Sequence, residues 1–120
     1  MLEKDAKIFV AGHHGLVGSA IWNNLLQRGY TNLTGRSHKE LDLLDGVAVK
    51  KFFDEEKPDA VVLAAAHVGG IMANLQYRAD FIYRNLQIQQ NVIGESFRHG
   101  VKKLLFLGST CIYPRDAQQP

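Results

Sequence analysis

The sequence predicts an α/β fold with a doubly wound parallel sheet, and three observations support this prediction. Short apolar runs alternate along the chain with longer segments in which apolar residues recur every three or four positions. The run at residues 60–66 is apolar at every position, which is typical of a parallel strand covered by helices on both faces. A glycine-rich segment separates the first apolar run from the first helical segment. Together these features indicate repeated strand–helix–strand units.

The first half of the chain starts with a predicted strand at residues 7–12, followed by a helix at residues 16–28. Apolar residues at i,i+4 spacing give this helix a buried stripe, and Gly29 is placed to end it. The chain then returns through residues 32–36 as a second strand. A weaker third strand is predicted near residues 40–43.

The second half continues the same alternation. A helix at residues 47–56 stops before Pro58, because proline cannot continue a helix. A fourth strand at 59–66, a long helix at 74–99 and a fifth strand at 103–108 follow. Right-handed crossovers give a Rossmann-like sheet with the strand order 3-2-1-4-5. The fifth strand is then an open edge with apolar residues on both faces, which predicts association with another chain.

Length and composition limit the classes of protein. The 120 residues fit one domain, and 46% hydrophobic with 22% charged residues is ordinary for a globular protein. A formal net charge of +2 is too small to indicate a nucleic-acid or membrane-surface partner. One cysteine and five histidines without zinc-ligand spacing predict neither a disulfide nor a metal site. No apolar run approaches the ~20 residues that span a bilayer and no signal-peptide pattern is present, so we expect a cytoplasmic protein.

Residues 12–18 read G-x-x-G-x-x-G between the first strand and the first helix. In that context a tight turn brings backbone N–H groups and a helix amino terminus to the pyrophosphate of a dinucleotide. His14 is placed to donate to a phosphate, whereas the adjacent rings of His13 and His14 are expected to point apart and to lack the partners of a metal pair. The candidate cofactor-binding residues of this glycine loop are Gly12, His14, Gly15, Leu16, Val17 and Gly18.

The residue that follows the second strand indicates which dinucleotide binds. About 20 residues past the glycine loop, NAD-binding proteins place an acid for the ribose 2′-hydroxyl, and NADP-binding proteins place an arginine for the 2′-phosphate. Arg36 holds this position and favours NADP(H). Glu40 and Asp42 are the acidic alternatives, although they fall past the predicted end of the strand.

Four segments carry a family resemblance: AGHHGLVGSA at 11–20, AAAHVGGI at 64–71, ADFIY at 79–83 and LLFLGSTCIYP at 104–114. Together they closely resemble the GDP-L-fucose synthases, a family of extended short-chain dehydrogenases/reductases. The resemblance implies an NADPH-dependent enzyme that epimerises GDP-4-keto-6-deoxy-D-mannose and reduces it to GDP-L-fucose. It also implies a homodimer formed through the long helices.

The same resemblance assigns roles to individual residues. Ser109 matches the family's catalytic serine, which hydrogen-bonds the sugar carbonyl, and Cys111 matches its epimerisation acid/base. A cysteine serves in that role if its surroundings bring its pKa toward neutrality. Beyond the glycine loop, the positions that match cofactor contacts include His38, Asp42, Leu43, Ala64, Ala65, Leu107 and Gly108.

The chain lacks one motif that reductases of this superfamily use. Their Tyr-x-x-x-Lys pair donates the proton that accompanies hydride transfer, yet none of the four tyrosines here has lysine four positions later. We therefore interpret residues 1–120 as an incomplete NADP-binding domain, the amino-terminal part of such an enzyme, and expect it to be inactive alone. Two alternatives stay open: a related nucleotide-sugar epimerase or dehydratase, and a non-catalytic dinucleotide-binding module.

Overall fold

Four strands and three helices make up the part of the chain that the computed structural model describes, residues 2–64 and 78–107. In chain order they are β1 (Ile8–Ala11), α1 (Leu16–Gln27), β2 (Leu33–Thr34), α2 (Gly46–Glu56), β3 (Ala60–Leu63), α3 (Arg78–Arg98) and β4 (Lys103–Phe106). The strands are hydrogen-bonded in the order β2-β1-β3-β4, and every pair is parallel. Within these residues, no helix has the length and apolar character needed to cross a membrane.

The predicted third strand near residues 40–43 is wrong, because the chain forms turns there. The Ser37 N–H donates to Glu40 Oε1 at 2.8 Å, and the Leu44 N–H donates to Asp42 Oδ1 at 3.0 Å. Side chains that bond nearby backbone groups compete in this way with strand pairing. The other four predicted strands keep their predicted relative order, since removing the third from 3-2-1-4-5 leaves the observed neighbours.

The predicted bounds of the helices agree closely with the structure where caps mark them. α2 starts after Asp45, whose Oδ1 accepts from two N–H groups of the first turn at 3.1 and 3.2 Å. It ends at Glu56, and the residue that caps it, Lys57, has a left-handed φ of 46°. The parts of the predicted elements at residues 65–66, 74–77 and 108 lie outside the described residues.

One face of the sheet packs against α2 and α3. Phe9 of β1 meets Phe52 and Phe53 of α2, with ring centroids 4.4 and 6.0 Å apart. Val49 of α2 and Val92 of α3 are fully buried in the same cluster. Burying a side chain of this size stabilises a fold by about 1.5–3 kcal/mol, so this layer anchors the sheet.

The opposite face packs against α1. Ile8 and Val10 of β1 and Val62 of β3 form a cluster with Ile21 and Trp22 of α1. Helices on both faces explain why β3 is buried at every position. The predicted doubly wound α/β arrangement is therefore confirmed.

β4 is less well covered than the other strands. It pairs with β3 alone in the described part of the chain, and its Leu104, Leu105 and Phe106 are 38%, 51% and 43% exposed. An apolar groove beside it is lined in part by Val17 and Ile21 of α1. Within residues 2–64 and 78–107, β4 therefore lies at the edge of the sheet, as predicted.

Three side chains join α2 to α3 near their carboxyl ends, and we call Asp54, Glu95 and His99 the interhelical clasp. The His99 ring lies close to both acids: its Nε2 is 2.7 Å from Asp54 Oδ1, and its Nδ1 is 3.0 Å from the Glu95 carbonyl oxygen and 3.4 Å from Glu95 Oε1. The hydrogen bond to Asp54 raises the pKa of His99. An imidazolium donates from both nitrogens at once, whereas a neutral ring has a single N–H.

Candidate functional site

The glycine loop reverses the chain in a tight turn between β1 and α1. Gly12 has a φ of +88°, a left-handed conformation that glycine adopts at no steric cost. The Gly15 N–H closes the turn by donating to the Gly12 carbonyl at 3.0 Å. The turn follows the carboxyl end of β1, and this is the edge at which open α/β sheets bind ligands.

Gly18 brings α1 against the backbone of this loop. A Cβ atom at Gly18 would lie 1.9 Å from the Gly12 carbonyl oxygen and 2.7 Å from its carbon. No side chain fits at such a distance. The third glycine of such loops permits a close approach of helix to strand, and the packing at Gly18 requires that approach.

α1 starts without a side-chain cap. Its N-cap residue is Gly15, and its first turn contains no acid. Leu16 and Val17 are 90% and 53% exposed, so the start of the helix faces open space. Unpaired N–H groups and the positive end of the helix dipole make such a start favourable for a phosphate.

The two histidine rings of the loop contact each other, with centroids 3.9 Å apart and planes tilted by 38°. Our expectation that these rings point apart is wrong, because the turn that follows the left-handed Gly12 breaks the alternation of a strand. His14 is exposed, whereas His13 lies between His14 and Trp22. Burial, followed by the neighbouring His14, lowers the pKa of His13. The described residues contain no group of three side chains that would hold a metal ion.

Arg36 follows β2 and is held by four contacts. Its Nη1 donates to Thr34 Oγ1 and to the Gly35 carbonyl, both at 3.0 Å, and its Nη2 pairs with Glu56 Oε2 at 3.2 Å. The guanidinium also lies over the Phe52 ring, 5.1 Å from its centroid. About a third of the side chain stays exposed, since its relative exposure is 32%.

Arg36 also lies close to the glycine loop. Its charge contributes to the lowered pKa of His13, and the intervening Gly35 packs directly under the His13 ring. The structure therefore brings together the loop and the arginine that the sequence predicted separately.

The two acidic alternatives are engaged in local turns. Hydrogen bonds from Ser37 lower the pKa of Glu40, and Asp42 accepts from the N–H of Leu44. The acid that contacts Arg36 is instead Glu56, at the end of α2. Sequence reasoning missed it, because the two residues are 20 positions apart and no local pattern links them.

Ala64 and Leu107 lie at the same edge of the sheet as the glycine loop. The Ala64 N–H donates to the Ala11 carbonyl at 2.9 Å, and the Leu107 N–H donates to the Leu63 carbonyl at 3.2 Å. Each residue thus extends a strand by one position toward the predicted cofactor.

The remaining predicted positions differ in their surroundings. His38 is exposed in the turn after Arg36. Leu43 packs against the core beneath α2 and α3, and its carbonyl accepts from Asn91 Nδ2 at 2.8 Å. The described residues do not include Ala65, Gly108, Ser109 and Cys111.

Two curated proteins show how similar this chain is to known enzymes. It is 65% identical over 120 residues to Putative GDP-L-fucose synthase 2 of Arabidopsis thaliana, and 55% identical over 114 residues to GDP-L-fucose synthase of Escherichia coli (strain K12). The matches cover 100% and 95% of this chain, and 37% and 36% of the two relatives. The chain therefore spans little more than a third of the length of these relatives.

Solved structures share the fold. DdhaC matches with a TM-score of 0.91 and 57% identity, over 100% of this chain and 35% of that chain. CJ1428, a GDP-D-glycero-L-gluco-heptose synthase from Campylobacter jejuni in the presence of NADPH, matches with a TM-score of 0.89 and 48% identity over 100% and 35%. A GDP-L-fucose synthetase from Naegleria fowleri bound to NADP matches with a TM-score of 0.80 and 28% identity over 100% and 36%.

The parallel sheet, the glycine loop and these likenesses agree with a match over nearly the whole chain. Residues 8–120 match the NAD dependent epimerase/dehydratase family, and the chain belongs to that family.

Proposed function

We propose that this chain is the NADP(H)-binding part of a GDP-L-fucose synthase-like enzyme. The observation that carries the proposal is the uncapped start of α1 at the same edge of the sheet as Arg36, with Gly35 and the His13 ring linking the glycine loop to the arginine. The helix start suits a pyrophosphate, and the arginine suits a ribose 2′-phosphate. The NADPH and NADP named in the structures from Campylobacter jejuni and Naegleria fowleri support the same cofactor.

The residues of the loop fit such a cofactor. Gly12 and Gly18 place no side chain over the backbone at the turn, and a Cβ on Gly18 would clash with the Gly12 carbonyl. Arg36 has five N–H donors, three of which make the hydrogen bonds described above, and part of its side chain is exposed. The cofactor would supply the hydride for reduction, while these residues bind and orient it.

The substrate that we propose for the longer enzyme is GDP-4-keto-6-deoxy-D-mannose. Ser109 and Cys111 follow β4 closely in the sequence, and the carboxyl ends of parallel strands are where ligands bind in open α/β sheets. The family resemblance supports Ser109 as the hydrogen-bond donor to the sugar carbonyl and Cys111 as the acid/base of epimerisation.

A related nucleotide-sugar epimerase or dehydratase is the second candidate. The likeness to CJ1428, whose name specifies a GDP-heptose product, favours this alternative at 48% identity. A non-catalytic dinucleotide-binding module is the third, and it would bind the cofactor without turning over any sugar. Turnover of GDP-4-keto-6-deoxy-D-mannose by the longer protein separates the first candidate from the other two.

We also propose a homodimer, formed through α3. The helix exposes Tyr83, Leu86 and Phe97, at 60%, 54% and 85%, although residues of these types are usually at least partly buried. Gln90 is exposed on the same helix. A cytoplasmic location stays a prediction.

Titration of the chain with NADPH and with NADH tests the cofactor assignment, and the single tryptophan, Trp22, is a fluorescence reporter next to the glycine loop. We expect NADPH to bind more tightly than NADH. Arg36→Gln removes charge-assisted hydrogen bonds worth about 1.5–3 kcal/mol, which corresponds to about a 10- to 150-fold weaker NADPH affinity. NADH affinity should change little, because NADH has no 2′-phosphate.

Arg28→Gln is the matched control. It removes the same charge at the other end of α1, where Arg28 bonds Asn24, and it should leave both affinities unchanged. Equal binding of NADPH and NADH by the wild-type chain would contradict the assignment. An equal loss for both cofactors in Arg36→Gln would contradict the role of Arg36.

A further inference from the structure

The His13 ring occupies the space that a side chain at position 35 would fill. A Cβ atom on Gly35 would lie 2.6 Å from both Cγ and Nδ1 of His13, and 2.9 Å from Cδ2. Gly35 is not among the residues with positive φ, so its backbone conformation suits any L residue. The three atoms nearest to such a Cβ all belong to the His13 ring, which would have to move to admit a side chain at this position.

Packing fixes the orientation of this ring. The His13 centroid is 3.9 Å from that of His14 and 5.3 Å from that of Trp22. Its Nδ1 is buried and has no hydrogen-bond partner among the described residues. Because no hydrogen bond holds that atom, the neighbouring rings and Gly35 set the position of the imidazole.

Gly35 connects the ring to the arginine. The Gly35 carbonyl accepts a hydrogen bond from Arg36 Nη1 at 3.0 Å. The same glycine packs against the His13 ring. Glycine has more backbone freedom than any other residue, so a glycine that anchors a guanidinium needs support from outside. The described contacts supply that support through His13.

We propose that His13 is a positioning residue that fixes Gly35, and through it the Arg36 guanidinium, and so sets the preference for NADPH over NADH. The proposal rests on the proposed function, because it assumes that Arg36 receives the 2′-phosphate. It assigns to His13 a role without contact to the reacting atoms.

A double-mutant cycle tests this role with four proteins: wild type, His13→Ala, Gly35→Ala and the double variant. Affinities for NADPH and for NADH are measured for each, together with the unfolding midpoint. We expect each single variant to lower the NADPH/NADH preference about fivefold, mainly through NADPH. Gly35→Ala should lower the NADPH/NADH preference less in the His13→Ala background than in the wild-type background, because the clash of the new Cβ with the ring is gone.

His13→Phe is the conservative variant. It keeps an aromatic ring without the unpartnered Nδ1, so the NADPH/NADH preference should stay close to that of wild type. If His13→Ala does not fold, His13→Phe and Gly35→Ala still test the proposal, because the ratio of NADPH affinity to NADH affinity is measured for both.

Four outcomes overturn the proposal. NADPH and NADH affinities that fall by the same factor would assign His13 to general support of the loop. Additive effects in the cycle would remove the link through Gly35. A wild-type chain that binds neither dinucleotide would overturn the proposed function as well, whereas normal NADPH selectivity in His13→Ala overturns this inference alone.

Discussion

Among the glycines that the structure describes, Gly18 leaves the least room for an added methyl group. The atoms that a Cβ would touch, at 1.9 and 2.7 Å, belong to the Gly12 backbone and cannot rotate away as a side chain can. For Gly18→Ala we expect a loss of at least about 1–3 kcal/mol in the free energy of unfolding, the usual cost of overpacking. Dinucleotide binding should weaken too, because α1 must move away from the loop.

Urea unfolding of Gly18→Ala and Gly15→Ala measures this effect. Gly15→Ala is the matched control, since its Cβ would meet the same Gly12 oxygen at 3.4 Å, an ordinary contact distance. Equal stability losses in the two variants would show that the close approach at Gly18 is not what limits the loop.

Single residues were predictable from the sequence when a local pattern marked them. The glycine spacing and the distance to Arg36 identified the two halves of the candidate site before the fold was known. The contacts that hold the arginine were not predictable: Glu56 and Phe52 reach it from α2, and His13 reaches Gly35 across the sheet edge. Such contacts exist only once the strands pair.

The elements were predictable where backbone signals are strong. Asp45 and Pro58 delimit α2, whereas the strand near 40–43 was predicted only as a weaker one. Asp42 and Glu40 bond nearby N–H groups there, and these bonds outweigh a weak preference for strand.

The interhelical clasp makes the packing of α2 on α3 dependent on pH. The pKa of His99 is raised above its ordinary 6.5, so the stabilisation is complete below that value and is lost as the pH rises through the raised pKa. Asp54 has a lowered pKa, and its contribution is present above its ordinary 3.8. Lys50 pairs with Asp54, and Arg98 pairs with Glu95.

We therefore expect the contribution of the clasp to the free energy of unfolding to be larger just below pH 6.5 than well above it. Urea unfolding of wild type and His99→Gln over this range measures the difference. His99→Gln should remove this part of the pH dependence, and His38→Gln, at an exposed turn, should keep it. Identical pH profiles for wild type and His99→Gln would rule out a contribution of the clasp.

For the molecule as a whole, the order of the strands followed from the sequence because right-handed crossovers leave few arrangements. The sequence did not predict that the two faces of the sheet are covered unequally. α2 and α3 both pack on one face, while α1 alone packs on the other in the described part. Leu105 is half-exposed beside the groove along α1 as a result.

Self-association of the chain is the expected consequence of these surfaces. Leu105→Lys places a charge on β4, which discourages edge pairing, and Leu86→Gln makes the exposed surface of α3 more polar. Sedimentation velocity of both variants and of wild type shows which surface joins the copies. A smaller species in Leu86→Gln alone would support the dimer through α3, and a wild-type monomer would exclude both routes.

The central place of β1 in an all-parallel sheet also governs when the fold can form. Ile8 pairs with Ala60, so the contact between β1 and β3 closes a loop of about 50 residues. Because parallel strands cannot be joined by a hairpin, the entropic cost of closing this loop cannot be reduced by a short turn. During synthesis β1 is made first, and only the two residues of β2 are available to it until β3 is complete. β1 therefore stays largely unpaired after it has been made. Its apolar side chains are exposed to chaperones and to misassociation until β3 and the Phe52–Phe53 pair have been synthesised.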